Sequence, residues 1–265
     1  MRTQIKAALV LLAALVASSS AAALDVYPGG KVRPEALAQL NAPREGIGWR
    51  HVLMPPNAAA GGAVTLDQIQ SASQTFTGVT SFSFNNQTIT AGLTNPALVV
   101  FLAQTNNTVV TGLTVTWDSG GTNQAMTQLA HLQLGIADGY LFGLLNPTAG
   151  NKTLAASWTT ASQFIVGSMS VSHASAFQNP TTNNGTSALE TVTIASQAND
   201  MVATVFASTQ NQTGGFNGTQ VFLNNGGNIW TCAGSRNPGA ASVTATANIS
   251  VSAAWLAVAI DIVHD

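Results

Sequence analysis

The sequence predicts an all-β chain: a two-sheet antiparallel β-sandwich of the jelly-roll or lectin-like kind, preceded by an irregular N-terminal arm. Three observations carry this expectation. Between residues 239 and 263, Val243, Ala245, Ala247 and Ile249 alternate with Thr244, Thr246 and Asn248, the period of a strand with one buried face. Trp255 to Val263 is then apolar on both faces apart from Asp261, as a central covered strand should be. Finally, short patterns of this kind recur from Gln74 onward between Asn, Gly, Pro and Ser turns, with no β-α alternation and no fixed-period repeat.

Taken in order, strands are expected at Thr75 to Phe84, Leu98 to Gln104, Gly112 to Trp117, Ala125 to Leu134, Tyr140 to Leu145 and Thr153 to Thr159. They continue at Phe164 to Ser172, Glu190 to Ala195, Met201 to Ser208, Thr219 to Leu223, Ser242 to Ile249 and Trp255 to Val263. Asn-Pro at Asn95, Asn146, Asn179 and Asn237 marks element ends, because proline cannot fill a ladder position. Gly234 to Gly239 is expected as a turn. Asp261, the one charge in its strand, is expected at the sheet's end or hydrogen-bonded.

Upstream of the strands the character changes. Residues 1–23 have the form of a secretory signal peptide, with Arg2 and Lys6 before the apolar run Ala7 to Val16 and small residues at Ala21 to Ala23. That run is too short to span a bilayer core of roughly 30 Å, so no stable membrane span is expected after cleavage, and the destination is the periplasm, the cell surface or the medium. Residues 24–74 hold five of the nine prolines and read as an extended arm, which places the sandwich domain at residues 75–265. Pro34 to Leu40 has the pattern of two helical turns.

Only 7% of residues are charged, and amide and hydroxyl side chains take their place. With Arg2 and Lys6 removed, the remaining basic and acidic residues leave a formal charge near −4, and no Lys/Arg patch exists to neutralise phosphates, which excludes a nucleic-acid partner. Cys232 is the single cysteine, so no internal disulfide is possible, and it reads as a small buried residue beside Trp230.

A series of segments carries a resemblance. It runs through Pro96-Ala-Leu-Val-Val-Phe-Leu, Val115-Thr-Trp with Gln124-Ala-Met-Thr-Gln-Leu-Ala, and Tyr140-Leu-Phe-Gly-Leu-Leu-Asn-Pro-Thr-Ala-Gly-Asn. Gln178-Asn-Pro-Thr, Asn199-Asp-Met-Val-Ala, Gly234-Ser-Arg-Asn-Pro-Gly-Ala and Trp255-Leu-Ala-Val-Ala-Ile complete it. In order and spacing these resemble a β-sandwich domain that recurs in bacterial and phage extracellular proteins without an assigned function. The resemblance implies a secreted sandwich and, by inheritance, adhesion or carbohydrate binding; it implies no reaction.

The chemistry-bearing residues are sparse. Glu190 is the lone glutamate of the domain and Asp118, Asp138, Asp200 and Asp261 are dispersed, so no carboxylate pair of the glycosidase kind is visible, although folding can unite dispersed groups. There is no G-x-S-x-G turn, and His131, His173 and His264 lie far apart, His131 as an ordinary strand residue. No cofactor is expected. Calcium is the one metal the composition admits, with Asp118, Asn123 and Asp200 in oxygen-rich turns as its candidate ligands, although turn chemistry by itself accounts for these residues. For a sugar, the candidates are Trp230 and Tyr140 as stacking rings with Asn228 and Arg236 beside them, while Trp117, Trp158 and Trp255 read as core. Seven Asn-x-Ser/Thr sequons mark polar turns or strand faces.

Three functions follow as expectations. The first is an exported, non-enzymatic sandwich that binds a glycan or a surface protein. The second is a homo-oligomeric structural subunit of a coat or fibre, where low charge limits repulsion between neighbours. The third is a secreted glycoside hydrolase-like enzyme whose carboxylates meet only in the fold.

Overall fold

A computed structural model describes residues 61–70, 72–105, 109–134, 137–226 and 230–265. The expected signal peptide, the helical turns at Pro34 to Leu40, most of the arm and Asn228 lie outside the described residues.

The described chain is all-β, and every strand pairing in it is antiparallel. Its first half gives β1 (Thr65–Ile69), β2 (Gln74–Phe84), β3 (Thr88–Ile89), β4 (Ala97–Gln104), β5 (Thr114–Trp117), β6 (Gln124–Ala125), β7 (Thr127–Gln133), β8 (Asp138–Leu145), β9 (Gly150–Asn151) and β10 (Leu154–Ser172). The second half gives β11 (Ala174–Ile194), β12 (Met201–Ser208), β13 (Gln212–Gly214), β14 (Thr219–Asn224), β15 (Thr231–Pro238) and β16 (Val243–His264). The halves build separate sheets. One runs β6-β5-β10-β4-β8-β7 with β1 and β2 also on β10; the other runs β11-β16-β12-β15-β14 with β13 on β16; β3 and β9 form a small pair. The chain crosses from the first sheet to the second at His173 alone, in a left-handed conformation (φ 60°) between β10 and β11, with its N–H bonded to Thr94 O.

Burial explains why β4, β12 and the C-terminal part of β16 are apolar on both sides: all eight residues of β4 and all eight of β12 are buried. One face of each sheet meets the other in a shared core containing Val99, Phe101, Ile165, Val205, Val258 and Ile260. Phe222 of β14 locks this layer. Its ring meets Phe101 edge-on at 5.8 Å, and Gly167 and Gly234 leave it room, since a Cβ at either would come within 2.3 and 2.5 Å of the ring.

The outer face of each sheet is covered by the sheet's own long strands. In β10 the pairing with β2 shifts register between Ser157 and Ser162, and the segment before that break packs Leu154, Ala156 and Trp158 with Leu98, Val100, Leu102 and Phe142. The β11–β16 ribbon shifts between Ser187 and Leu189, and its far half packs Val192, Ile194, Ala245 and Ala247 with Val202, Phe206, Ala257 and Ala259. Asn183 Nδ2 donating to Thr191 O and Asn179 Nδ2 donating to Ala195 O tie the two arms of the folded strand.

These long strands account for the differences from the sequence expectation. Two expected strands merge in β10 and two in β16, because the polar breaks at Thr159 to Gln163 and Ser250 to Ser252 bend a strand without ending it. Thr65–Ile69, inside the expected arm, pairs with β10. Asn179-Pro180 does not end an element: it sits in β11 at the register shift between Gln178 and Thr181, on an edge strand where a missing N–H is tolerated. The expected turn at Gly234 to Gly239 is largely strand as well. Here β15 lies between β12 and β14, and the ladders on both sides outweigh the weak strand preference of Gly, Ser and Asn.

Candidate functional site

A solvent-facing concavity among the described residues lies on the outer layer of the first sheet. It is an open groove of about 300 Å³ lined by Ser81, Thr114, Thr116, Ser119, Asn123 and Ser157, with Phe82, Ala155 and Ala156 completing its wall. Strand register produces it. Ser157 of β10 stands opposite Ser81 of β2 on one side and Thr114 of β5 on the other, so three hydroxyls form a row across three strands. At a strand spacing of about 4.8 Å the row covers roughly 10 Å. Ser157 Oγ and Thr114 Oγ1 are 3.0 Å apart and share a hydrogen bond. Beneath the row the alternate residues Phe82, Val115 and Ala156 are buried, so packing fixes the hydroxyl face in place. No lining residue is ionisable.

At one end of the groove lies the turn that carries Asp118 and Asn123, both in left-handed conformation (φ 54° and 51°). Asp118 Oδ2 accepts from Thr122 N at 3.0 Å, Thr122 Oγ1 at 2.9 Å and Thr148 Oγ1 at 3.3 Å, while Lys152 Nζ stands 3.7 Å from Oδ1. The Thr122 hydrogen bonds, with smaller help from Lys152 and Thr148, hold this carboxyl below its usual range. Asn123 Oδ1 accepts from Gly120 N at 3.1 Å. These two candidate calcium ligands therefore do local turn work. Asp200, the third, lies in the other sheet's connections and accepts from Gln197 N, His264 N and His264 Nδ1, the last at 2.6 Å. Among the described residues, no group of three His, Cys, Asp or Glu side chains is placed to hold a metal ion.

Of the residues expected to bind a sugar, the described ones, Trp230, Tyr140 and Arg236, do not share a surface. Trp230 is fully buried in the core between the sheets, where Cys232 is also buried, and its Nε1 has no partner among the described residues. Tyr140 is buried in the separate cluster on the outer face of the first sheet. Its hydroxyl donates to Asp138 Oδ2 at 2.9 Å, and the exposed His131 ring stacks on it at 4.2 Å. Burial, then the Asp138 charge, pushes the Tyr140 hydroxyl up, and burial pushes the Asp138 carboxyl up and His131 down. Arg236 is a strand residue opposite Ala203 and Thr219, partly exposed. Trp117, Trp158 and Trp255 are core, as expected. Fully buried rings offer no face to a ligand in solvent, and that burial depends on chain reversals which local pattern does not encode.

Two polar constellations went unrecognised in the sequence because their members are far apart along it. Asp261 is buried, accepts from Ser196 Oγ at 2.6 Å, and lies close enough to Asp200 for the two carboxylates to interact. Burial and the Asp200 charge outweigh the Ser196 hydrogen bond and push Asp261 up to about 6. This fulfils the expectation that Asp261 is hydrogen-bonded, and it unites two dispersed carboxylates, although both are spent on internal donors. The second is Glu190, fully buried, whose Oε1 accepts from Gln212 Nε2 at 3.1 Å. Glu190 Oε2 and Gln212 Oε1 have no hydrogen-bond partner among the described residues, and burial pushes Glu190 up to about 8. A carboxyl held neutral in this way is not a solvent-facing catalytic base.

No protein family, curated protein or solved structure matches the chain. Among the described residues, no helix is long and apolar enough to cross a membrane.

Proposed function

We propose that this protein is an exported, non-enzymatic binding module of the jelly-roll or lectin-like class, acting at or outside the cell surface, and that it binds a neutral glycan along the groove between β2, β10 and β5. The observation that carries this reading is the fixed row Ser81, Ser157 and Thr114, which offers donors and acceptors at regular spacing on a rigid, uncharged face. A neutral polyhydroxylated chain needs such partners and gains nothing from ionic ones. Both export and the lectin-like class rest on the sequence, through the signal-peptide pattern at residues 1–23 and the resemblance already described.

A glycan microarray probed with the full chain tests it. The wild type is expected to bind at least one neutral glycan class, and the S81A/T114A/S157A variant, with unchanged melting temperature, is expected to lose that signal. No wild-type binding above background defeats the reading. A variant that binds as well as the wild type removes the groove as the site.

A second reading, a self-associating structural subunit, is favoured by one observation: β11 is a 21-residue edge strand that pairs as a ladder, among the described residues, with β16 alone, and the one ionisable side chain of β11, Glu190, is buried.

A further inference from the structure

The pairing of β11 with β16 shifts register at three places, and between the second and third it keeps a regular run, Thr181 to Ser187. This run is about 23 Å long at 3.3 Å per residue. Its sequence is Thr-Thr-Asn-Asn-Gly-Thr-Ser. Thr182, Asn183, Asn184 and Thr186 are exposed. The N–H of Asn184 donates to its neighbour's Asn183 Oδ1 at 3.0 Å, so it is not spent on β16 and faces away from the sheet. By the alternation of an antiparallel ladder, the backbone groups of Thr182 and Thr186 face the same way.

Edges of this kind are normally blunted by charge, most often lysine. Here the run has none, and Pro180 with its bulge stands just outside it. The ribbon's bend next to the run also carries Leu189 and Val251, 47% and 54% exposed, two of the three large apolar side chains exposed among the described residues.

We infer that the Thr181 to Ser187 edge pairs antiparallel with the same edge of a second copy of this chain, about a two-fold axis at Asn184. The register follows from the sequence. Turned about Asn184, the run sets Thr182 opposite Thr186 of the second copy, Thr181 opposite Ser187, Asn183 opposite Gly185, and Asn184 opposite itself. Hydroxyl pairs of the Thr–Thr and Thr–Ser type are favourable cross-strand neighbours, and no like charges oppose. The outward groups of Thr182, Asn184 and Thr186 form about six ladder hydrogen bonds, with Asn183 Oδ1 releasing the Asn184 N–H to the new partner. The contact is isologous and closes as a dimer, joining the β11 sheets of two copies into one.

This proposal rests on the self-association reading, and sedimentation velocity on the full chain over a range of concentrations separates the two. The wild type is expected to show a concentration-dependent dimer. In T182K/T186K each lysine faces a lysine of the second copy, and association is expected to weaken at least tenfold. In T182K/T186E each lysine faces a glutamate, and association is expected to return. Both sites are exposed threonines, and unchanged circular dichroism checks that the variants fold. A wild type that stays monomeric throughout overturns both the self-association reading and this interface. A dimer that survives T182K/T186K, or that T182K/T186E fails to restore, overturns the β11 register and leaves self-association standing through another surface.

Discussion

Replacing Glu190 with Gln tests how the interior of the second sheet is held. Glu190 has no exposed surface, meets Gln212 Nε2 through one oxygen, and is pushed by burial from an ordinary 4.5 to about 8. The folded chain keeps this proton where the unfolded chain has released it. Stability must then fall as pH rises from about 4.5 to about 8 and level off above, because the native state binds more protons throughout that interval. Between pH 6.5 and 8 the fall attributable to Glu190 is about 2 kcal/mol, at 1.36 kcal/mol per unit. Glutamine has nearly the same shape, stays neutral, and can donate its amide N–H toward Gln212 Oε1, which has no partner among the described residues of the wild type. Urea unfolding at pH 6.5, 7.2 and 8 reads the effect: the wild-type midpoint should fall relative to that of E190Q by an amount equivalent to about 2 kcal/mol, with equal m-values. Parallel curves for the two proteins would refute the claim that Glu190 is folded in its neutral form.

Phe222→Ala removes the ring that joins Phe101 to the glycines at 167 and 234, and is expected to cost about 3–5 kcal/mol in equilibrium unfolding. Gly234→Ala puts a methyl into the same ring, and the strain of overpacking should cost about 1–3 kcal/mol; a neutral result would show that Phe222 can move aside. Millimolar calcium is expected to leave the melting temperature unchanged, because Asp118 and Asp200 spend their carboxylates on Thr122, Thr148, Gln197 and His264; a rise of several degrees would mean that these bonds yield to the ion.

How much of the candidate site was legible depends on the range of each signal. Thr114 and Thr116 were readable as the polar face of a strand, since Val115 and Trp117 between them are apolar, and β5 carries that alternation. That Thr114 meets Ser157, and Ser157 meets Ser81, was not readable, because register across strands far apart in sequence is set by packing. Trp230 misled for the same reason. Its Asn-Gly neighbourhood has the composition of an exposed loop, yet the ring fills the space between the sheets. Asp200 and Asp261 were visible singly, and only the pairing of β12 with β16 brings them together.

By itself the sequence determined the strand periodicity, the low charge, the lone buried cysteine and the core tryptophans at 117, 158 and 255, because each depends on which side chains water accepts and on a two-residue repeat. Tertiary structure alone decided that β10, β11 and β16 bend back over their own sheets and that β15 is a strand and not a turn. It also decided that Glu190 is sealed in and that a hydroxyl row and an uncharged edge face outward. Those outcomes depend on contacts between residues tens to hundreds of positions apart, whose free energy is set by how whole sheets pack and is written in no local pattern.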